Sequence, residues 1–200
     1  MPYTLVTSLR SPFGRICRMF MHHHGIPYDL RVLNFVDNTE DAAALASESP
    51  INKVPIMELD GDQKLFDSRV IVAYLTGEYR LSAPSVEEEN IVSAIYSCMD
   101  VSVVLFLMKN SGYDIDANNS YLRRQRERIP RNLEYIKNWA ASLDPANPAH
   151  WNYASMSLYS FLYWAEHRTQ TVHLNEQPIF ASFMKKFESA PGVRETHFEN

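Results

Sequence analysis

The chain is poor in the features that usually announce a function. It has only two cysteines in 200 residues, Cys17 and Cys98, so there is no disulfide framework and no cysteine spacing for a metal. Excess positive charge is also missing. A net charge of −5 removes any whole-chain electrostatic case for nucleic acid or a membrane surface. No uninterrupted apolar run reaches the roughly 18 residues of a membrane span, and residues 3–10 are too short and polar a stretch for a signal peptide. Beyond residue 87 no convincing strand pattern occurs. What is left is 46% hydrophobic and 22% charged, ordinary for a soluble globular protein, with the cytoplasm as the default location. The length suits one large or two small domains with ample core.

The most informative stretch is residues 49–75. Val54, Ile56, Met57 and Leu59 form a short strand-like run with Pro55 inside it. Asp60-Gly61 is a strong hairpin signal, because both residue types tolerate positive φ. Lys64, Leu65 and Phe66 return as a second strand. Asp67 and Ser68 are helix-capping types, and Val70, Ile71, Ala73, Tyr74 and Leu75 begin an apolar helical face. Pro55 donates no ladder bond, and a cis Val54–Pro55 bond would turn the Val54 N–H and C=O outward, where an extended peptide can pair with them. The free N–H groups at the helix start near Asp67-Ser68 favour a carboxylate. A strand-pairing edge and an anion site one hairpin apart suit a small acidic peptide.

Upstream, Tyr3, Leu5 and Val6 predict a first strand. Pro12 suits the first turn of a helix that carries Ile16, Cys17, Met19, Phe20 and Met21 and is closed by Gly25. Residues 28–35 read as a second strand, and residues 37–49 as a loop with a weak, partly exposed helix. The resulting order, βαβαββα, predicts a thioredoxin-like α/β layer pair over residues 1–78. Residues 79–86, with Pro and Ser, form the linker. Residues 87–200 are then all-helical. Ile91, Ile95, Cys98, Ser102 and Leu105 mark one face of the first helix there, and Val92, Tyr96, Val103 and Leu107 another, so it is expected to be buried on two sides. Pro130 is expected to kink or break the next helix. Residues 153–165 form a central helix, and Ile179, Phe180, Phe183, Met184 and Phe187 a last amphipathic one, stopped at Pro191-Gly192.

KVP followed by DS at this spacing, together with SPFGR, GIPYDL and the ending QPIFASFMKKFESAPGV, resembles the glutathione transferases over essentially the whole chain. The resemblance implies a thioredoxin-like glutathione-binding domain, an all-α second domain and a homodimer. It implies conjugation of glutathione, as co-substrate, to a small hydrophobic electrophile, a detoxification activity. It also leaves open a glutathione-dependent isomerase or dehalogenase, or a non-catalytic binding or assembly protein of the same fold. It assigns Ser11 as the hydrogen-bond donor to the glutathione sulfur, with Thr7 and Ser8 as competitors. Asp67 and Ser68 would hold the γ-glutamyl ammonium and carboxylate. Val54, beside Pro55, would pair with the cysteinyl unit, and Lys53 would attract the glycyl carboxylate. Tyr96, Met99, Val103 and Met108 are candidates for the second-substrate site, and Asp100 for reaching the partner subunit's glutathione.

Each of these residues has a plainer reading. Ser11-Pro12 and Asp67-Ser68 fit ordinary helix caps, Lys53 an exposed lysine, and the four apolar residues core packing. Asn52 stands where the family often has glycine, a mild change because asparagine tolerates positive φ. Asn152 and Ser155 stand where the family places a capping box with Asp, and Ser155 is expected to be too short to complete one. Cys17 lies too deep along its helix to be a nucleophile. Successive helical positions diverge by about 100°, so His22, His23 and His24 do not converge on a metal. Arg123, Arg124, Arg126, Arg128 and Arg131 read as a solvated face diluted by Glu127.

Overall fold

The computed structural model describes residues 3–169 and 176–198. It divides into two compact units, Met1–Ala83 with Ser189–Asn200, and Pro84–Glu188. Residues 189–198, expected with the helical part, pack with the first unit instead, because α1 buries two arginines against them.

In the first unit, strands β1 (Tyr3–Thr7), β2 (Tyr28–Val32), β3 (Ile56–Glu58) and β4 (Lys64–Phe66) form one sheet in the order β2-β1-β3-β4. β2 lies parallel to β1, while β3 is antiparallel to both β1 and β4. The helices are α1 (Pro12–His23), α2 (Thr39–Glu48) and α3 (Ser68–Glu78), giving the thioredoxin-like βαβαββα order. Side chains alternate across a strand. Val6, Ile56 and Phe66, which are paired across the sheet, therefore share one face, where they pack with Leu45 of α2. Leu5 and Met57 face the other way and are fully buried.

Local signals explain most of the boundaries. Ser11 caps α1, and at its other end Gly25 adopts φ +62°. There Gly25 N–H bonds His22 C=O and Ile26 N–H bonds Met21 C=O, at 3.2 and 2.9 Å, the Schellman closure that glycine permits. The second strand stops at Val32 rather than at Phe35. The 59–63 hairpin also differs from expectation: the positive φ values fall on Gly61 and Asp62, and Leu59 N–H bonds Gln63 C=O at 2.8 Å. The turn is thus three residues long, Asp60 to Asp62.

Four charges close the α2 face. Arg31 holds Glu48, with one contact at 3.1 Å, and Glu58 at 3.2 Å, while Lys64 Nζ reaches Glu48 at 3.3 Å and Glu58 at 3.0 Å. The Arg31 hydrogen bond, then Lys64, hold the Glu48 carboxyl below its ordinary value. A depressed carboxyl contributes stability at neutral pH that is lost as pH falls through its folded value. Glu48→Gln should therefore cost about 1 kcal/mol at neutral pH, and the two proteins should converge in urea titrations run progressively further below pH 4.5. A gap that persists in acid would contradict this.

The second unit is helical throughout its described residues: α4 (Val86–Asn110), α5 (Ser120–Ser142), a 3-10 turn (Pro148–His150), α6 (Tyr153–Trp164) continued by a π-helical turn (Ala165–Thr169), and α7 (Pro178–Lys186). Counting only unbroken apolar runs overlooked α4, which is long and apolar enough to cross a membrane by length and composition; half of that window is buried within the protein. Ile91, Val92, Ile95, Cys98, Ser102 and Leu105 are buried, as are Phe180, Phe183 and Phe187. Of the kink or break expected at Pro130, a break is not what occurs: α5 runs on through it as one helix. Buried Leu122, Ile129, Leu133, Ile136 and Ala140 hold it, and Asn132 Nδ2 anchors it to the Ala94 carbonyl at 3.2 Å, outweighing the one lost helical bond.

The capping box at α6 does form. Asn152 Oδ1 accepts from Ala154 and Ser155 N–H, and Ser155 Oγ accepts from Asn152 N–H at 2.8 Å. At that distance a short hydroxyl reaches as well as a carboxylate. The carboxylate is supplied from another helix: Glu88 accepts Ser85 N–H at 2.7 Å and Asn152 Nδ2 at 2.6 Å, tying the starts of α4 and α6 together.

Candidate functional site

The sheet brings the predicted residues to one end. β1 finishes there at Thr7, β3 begins there two residues after Val54, and β4 finishes there just before Asp67. The pairs Val6↔Ile56 and Ile56↔Phe66 fix that register. Consequently Ser11, Val54, Pro55, Asp67 and Ser68 all lie at the same sheet end, where the N-termini of α1 and α3 also point. Two helix starts at one end make it favourable for negative charge.

Ser11 is half-buried and is the N-cap of α1. Its Oγ accepts from Gly14 N–H at 3.1 Å, and its own N–H bonds Ser8 C=O at 3.0 Å. A hydroxyl that accepts one bond keeps its proton for donation. Thr7 is no longer a competitor: it is fully buried against Gly14, and its hydroxyl donates to Ser8 C=O at 3.3 Å. Ser8 Oγ accepts from Arg10 N–H at 3.4 Å.

Val54–Pro55 is cis. Among the described residues, no hydrogen bond engages the Val54 N–H or C=O. The loop before it is shaped by Ser49, whose hydroxyl donates to Lys53 C=O at 3.2 Å, and by Asn52 at φ +49°. Lys53 itself is exposed.

Asp67 adopts φ +66°, ψ 157°, a region that is essentially glycine's and that non-glycine residues keep mainly at functional sites. Sequence gave no sign of it. Its Oδ1 accepts from both Arg69 N–H at 2.8 Å and Val70 N–H at 3.1 Å, leaving Oδ2 without a partner among the described residues. Ser68 follows as the first residue of α3 and is buried.

Two of the four second-substrate candidates are core residues. Met99 is fully buried, and Tyr96 is buried with its hydroxyl accepting from Tyr153 Oη at 2.9 Å. α4 is covered along this half, so spacing alone could not separate lining from core. Val103 and Met108 are half-buried, and Asp100 is exposed.

The remaining candidates follow their plainer readings. Cys17 is fully buried, and burial pushes its thiol pKa up. Burial likewise pushes the Cys98 thiol up to about 12. His22 packs edge-on to Tyr28 and His24 against Phe20, and burial lowers the pKa of His22, His23 and His24. Among the described residues no three His, Cys, Asp or Glu side chains gather as a metal site. Arg123 pairs with Glu127 at 3.9 Å on an exposed helix face.

With this geometry in hand, residues 5–83 match the family described as glutathione S-transferase, N-terminal domain. Human glutathione S-transferase theta-1 is 32% identical over 77 residues, 38% of this chain; the matched part spans about a third of that relative's length. Among solved structures, a glutathione S-transferase of Methylobacterium radiotolerans in complex with glutathione sulfonate superposes with a TM-score of 0.83 at 18% identity, covering 98% of this chain and 94% of that one. A glutathione transferase family member of Pseudomonas fluorescens with bound glutathione gives 0.78 at 23% identity, covering 98% of each chain. Residues 5–83 are thus similar to a glutathione S-transferase N-terminal domain, and the fold over 98% of the chain is that of these solved glutathione transferases.

Proposed function

We propose that this protein is a glutathione transferase that joins the glutathione sulfur to a small hydrophobic electrophile. The observation that carries the reading is the sheet end itself: an unengaged Val54 backbone lies between the starts of α1 and α3. Val54 pairs with the cysteinyl unit as an added strand would. The α3 start with Ser68 takes the γ-glutamyl carboxylate, Asp67 Oδ2 faces the ammonium, and Lys53 attracts the glycyl carboxylate. Ser11 donates to the sulfur. The thiol loses its proton to solvent, and the thiolate attacks the electrophilic carbon. The C–S bond forms as the leaving group departs with its electron pair.

A thermal-shift titration with glutathione tests the reading, since a ligand at 100 times its dissociation constant stabilises by about 2.7 kcal/mol. No shift at millimolar glutathione would contradict it. Ser68→Ala should raise the dissociation constant by about one to two decades, the loss of a charge-assisted hydrogen bond; unchanged affinity would place the γ-glutamyl end elsewhere. A screen of electrophiles read by glutathione consumption then separates conjugation from isomerisation, dehalogenation or mere binding. The exposed Val104 and Leu107 on α4 support a homodimer, for which light scattering should give twice the chain mass at micromolar concentration.

A further inference from the structure

Two arginines on α1 bury their head groups where an isolated helix would leave them in water. Arg15 is 1% exposed and Arg18 3%. Arg15 Nε donates to Thr196 Oγ1 at 3.1 Å, and its Nη2 donates to the Val193 carbonyl at 3.1 Å. Arg18 Nη2 donates to the Glu195 carbonyl at 3.0 Å, and the Thr196 hydroxyl donates onward to the Gly192 carbonyl at 2.6 Å. Gly192 is held at φ +86°, and a Cβ there would stand 2.8 Å from Met19 Cα. Residues 192–196 therefore form a turn pressed directly onto α1, with its oxygens aimed at the helix.

Burying a guanidinium is costly, and the hydrogen bonds it keeps offset that cost. The fork of Arg15 reaches a hydroxyl and a carbonyl together, so it fits one position of α1 against the turn. One helical turn earlier, Arg15 N–H bonds Ser11 C=O at 3.0 Å and Gly14 N–H bonds Ser11 Oγ. We propose that Arg15 and Thr196 form a clasp that fixes the first turn of α1, making Arg15 a positioning residue for the Ser11 hydroxyl. The role in catalysis rests on the reading of Ser11 given above; the clasp itself does not. A hydroxyl meant to stabilise an anion must be held to within about 0.5 Å, and Arg15 does so through the helix without touching a ligand. The nearby charges, Arg18, Glu195 and Asp67, whose field reaches Cys17, stay the same in every variant below.

Thr196→Val keeps the shape and removes the hydroxyl, while Thr196→Ser restores it. Two quantities are read: deuterium exchange at the Gly14 and Arg15 amides without ligand, and the ionisation midpoint of bound glutathione by ultraviolet absorbance. In Thr196→Val those amides should exchange about tenfold faster while β1 and β3 amides keep their rates. The midpoint should rise by about half a pH unit, roughly a threefold loss of thiolate near neutrality. Thr196→Ser should return both, and in a Ser11→Ala background Thr196→Val should move the midpoint no further. If Thr196→Val fails to fold, Arg15→Lys, which keeps the charge but loses the fork, is read in the same way. Unchanged exchange at Gly14 and Arg15 would overturn the clasp. Faster exchange with an unmoved midpoint, in a protein whose midpoint Ser11→Ala does move, would overturn the positioning role. If Ser11→Ala itself moves nothing, the reading of Ser11 falls and the positioning role with it, while the exchange data still decide the clasp.

Discussion

Gly14→Ala is expected to destabilise the first unit by about 2 kcal/mol or more, although alanine is the better helix former by about 1 kcal/mol. A Cβ at position 14 would lie 1.9 Å from Thr7 Oγ1, 2.8 Å from Thr7 Cβ and 3.2 Å from Thr7 Cγ2. Thr7 ends β1 and is fully buried. Its branched side chain gives little relief: rotation about χ1 moves the hydroxyl away but swings another substituent toward the gap, and Cβ stays at 2.8 Å. Either α1 lifts from the sheet or β1 shifts, and overpacking of this kind costs about 1–3 kcal/mol. The clash outweighs the propensity gain. Urea titration measures the loss, and Thr7→Ala combined with Gly14→Ala should recover only part of it, because Oγ1 and Cγ2 are removed while Cβ remains at 2.8 Å. A Gly14→Ala protein as stable as wild type would show that α1 does not approach β1 this closely.

The same contact shows what the sequence could and could not disclose. Element order was legible because Pro12, Gly25, Asp67 and the Asp60-Gly61 turn are punctuation whose physics is local. Pro55 inside a strand-like run marked the cis bond that is present, and Asn52 marked a positive φ. Gly14 gave no such warning, because its reason is a neighbour seven residues away across a loop. Asp67's glycine-like backbone was hidden for the same cause: surroundings, not residue type, hold it there. The helical spacing of α4 predicted a buried helix and could not say which apolar side chains line a site, so Tyr96 and Met99 were candidates for lining and core alike; both are buried. Gly192 and Val193 close the ending that carries the resemblance, but nothing in residues 192–196 says which unit they pack with. The buried head groups of Arg15, 181 residues from its partner Thr196, and of Arg18 reveal it.

The second large effect is expected at Ser11. The structure shows its Oγ already acting as the α1 cap, accepting from Gly14 N–H, and a cap need not be a catalyst. The two roles use different parts of one group, since the cap uses a lone pair and the thiolate would take the proton. Ser11→Ala removes both, so stability alone cannot tell them apart: a lost cap costs about 1 kcal/mol in either case. Ionisation can. A free thiol titrates near 8.5, and lowering it by two pH units requires about 2.7 kcal/mol of preference for the charged form. A hydroxyl donor supplies part of that and the helix start the rest. If Ser11 donates to the sulfur, the bound thiol of Ser11→Ala should titrate about one pH unit higher, with turnover near neutral pH about tenfold lower. The dissociation constant for glutathione should change less than threefold, because Val54, Asp67 and Ser68 still hold the peptide; a fall in turnover without loss of affinity marks an interaction strongest in the transition state. Ultraviolet titration of the bound thiolate in both proteins is the decisive measurement, and superimposable curves would leave Ser11 a cap and pass the sulfur to Ser8 or to the backbone amides at the start of α1.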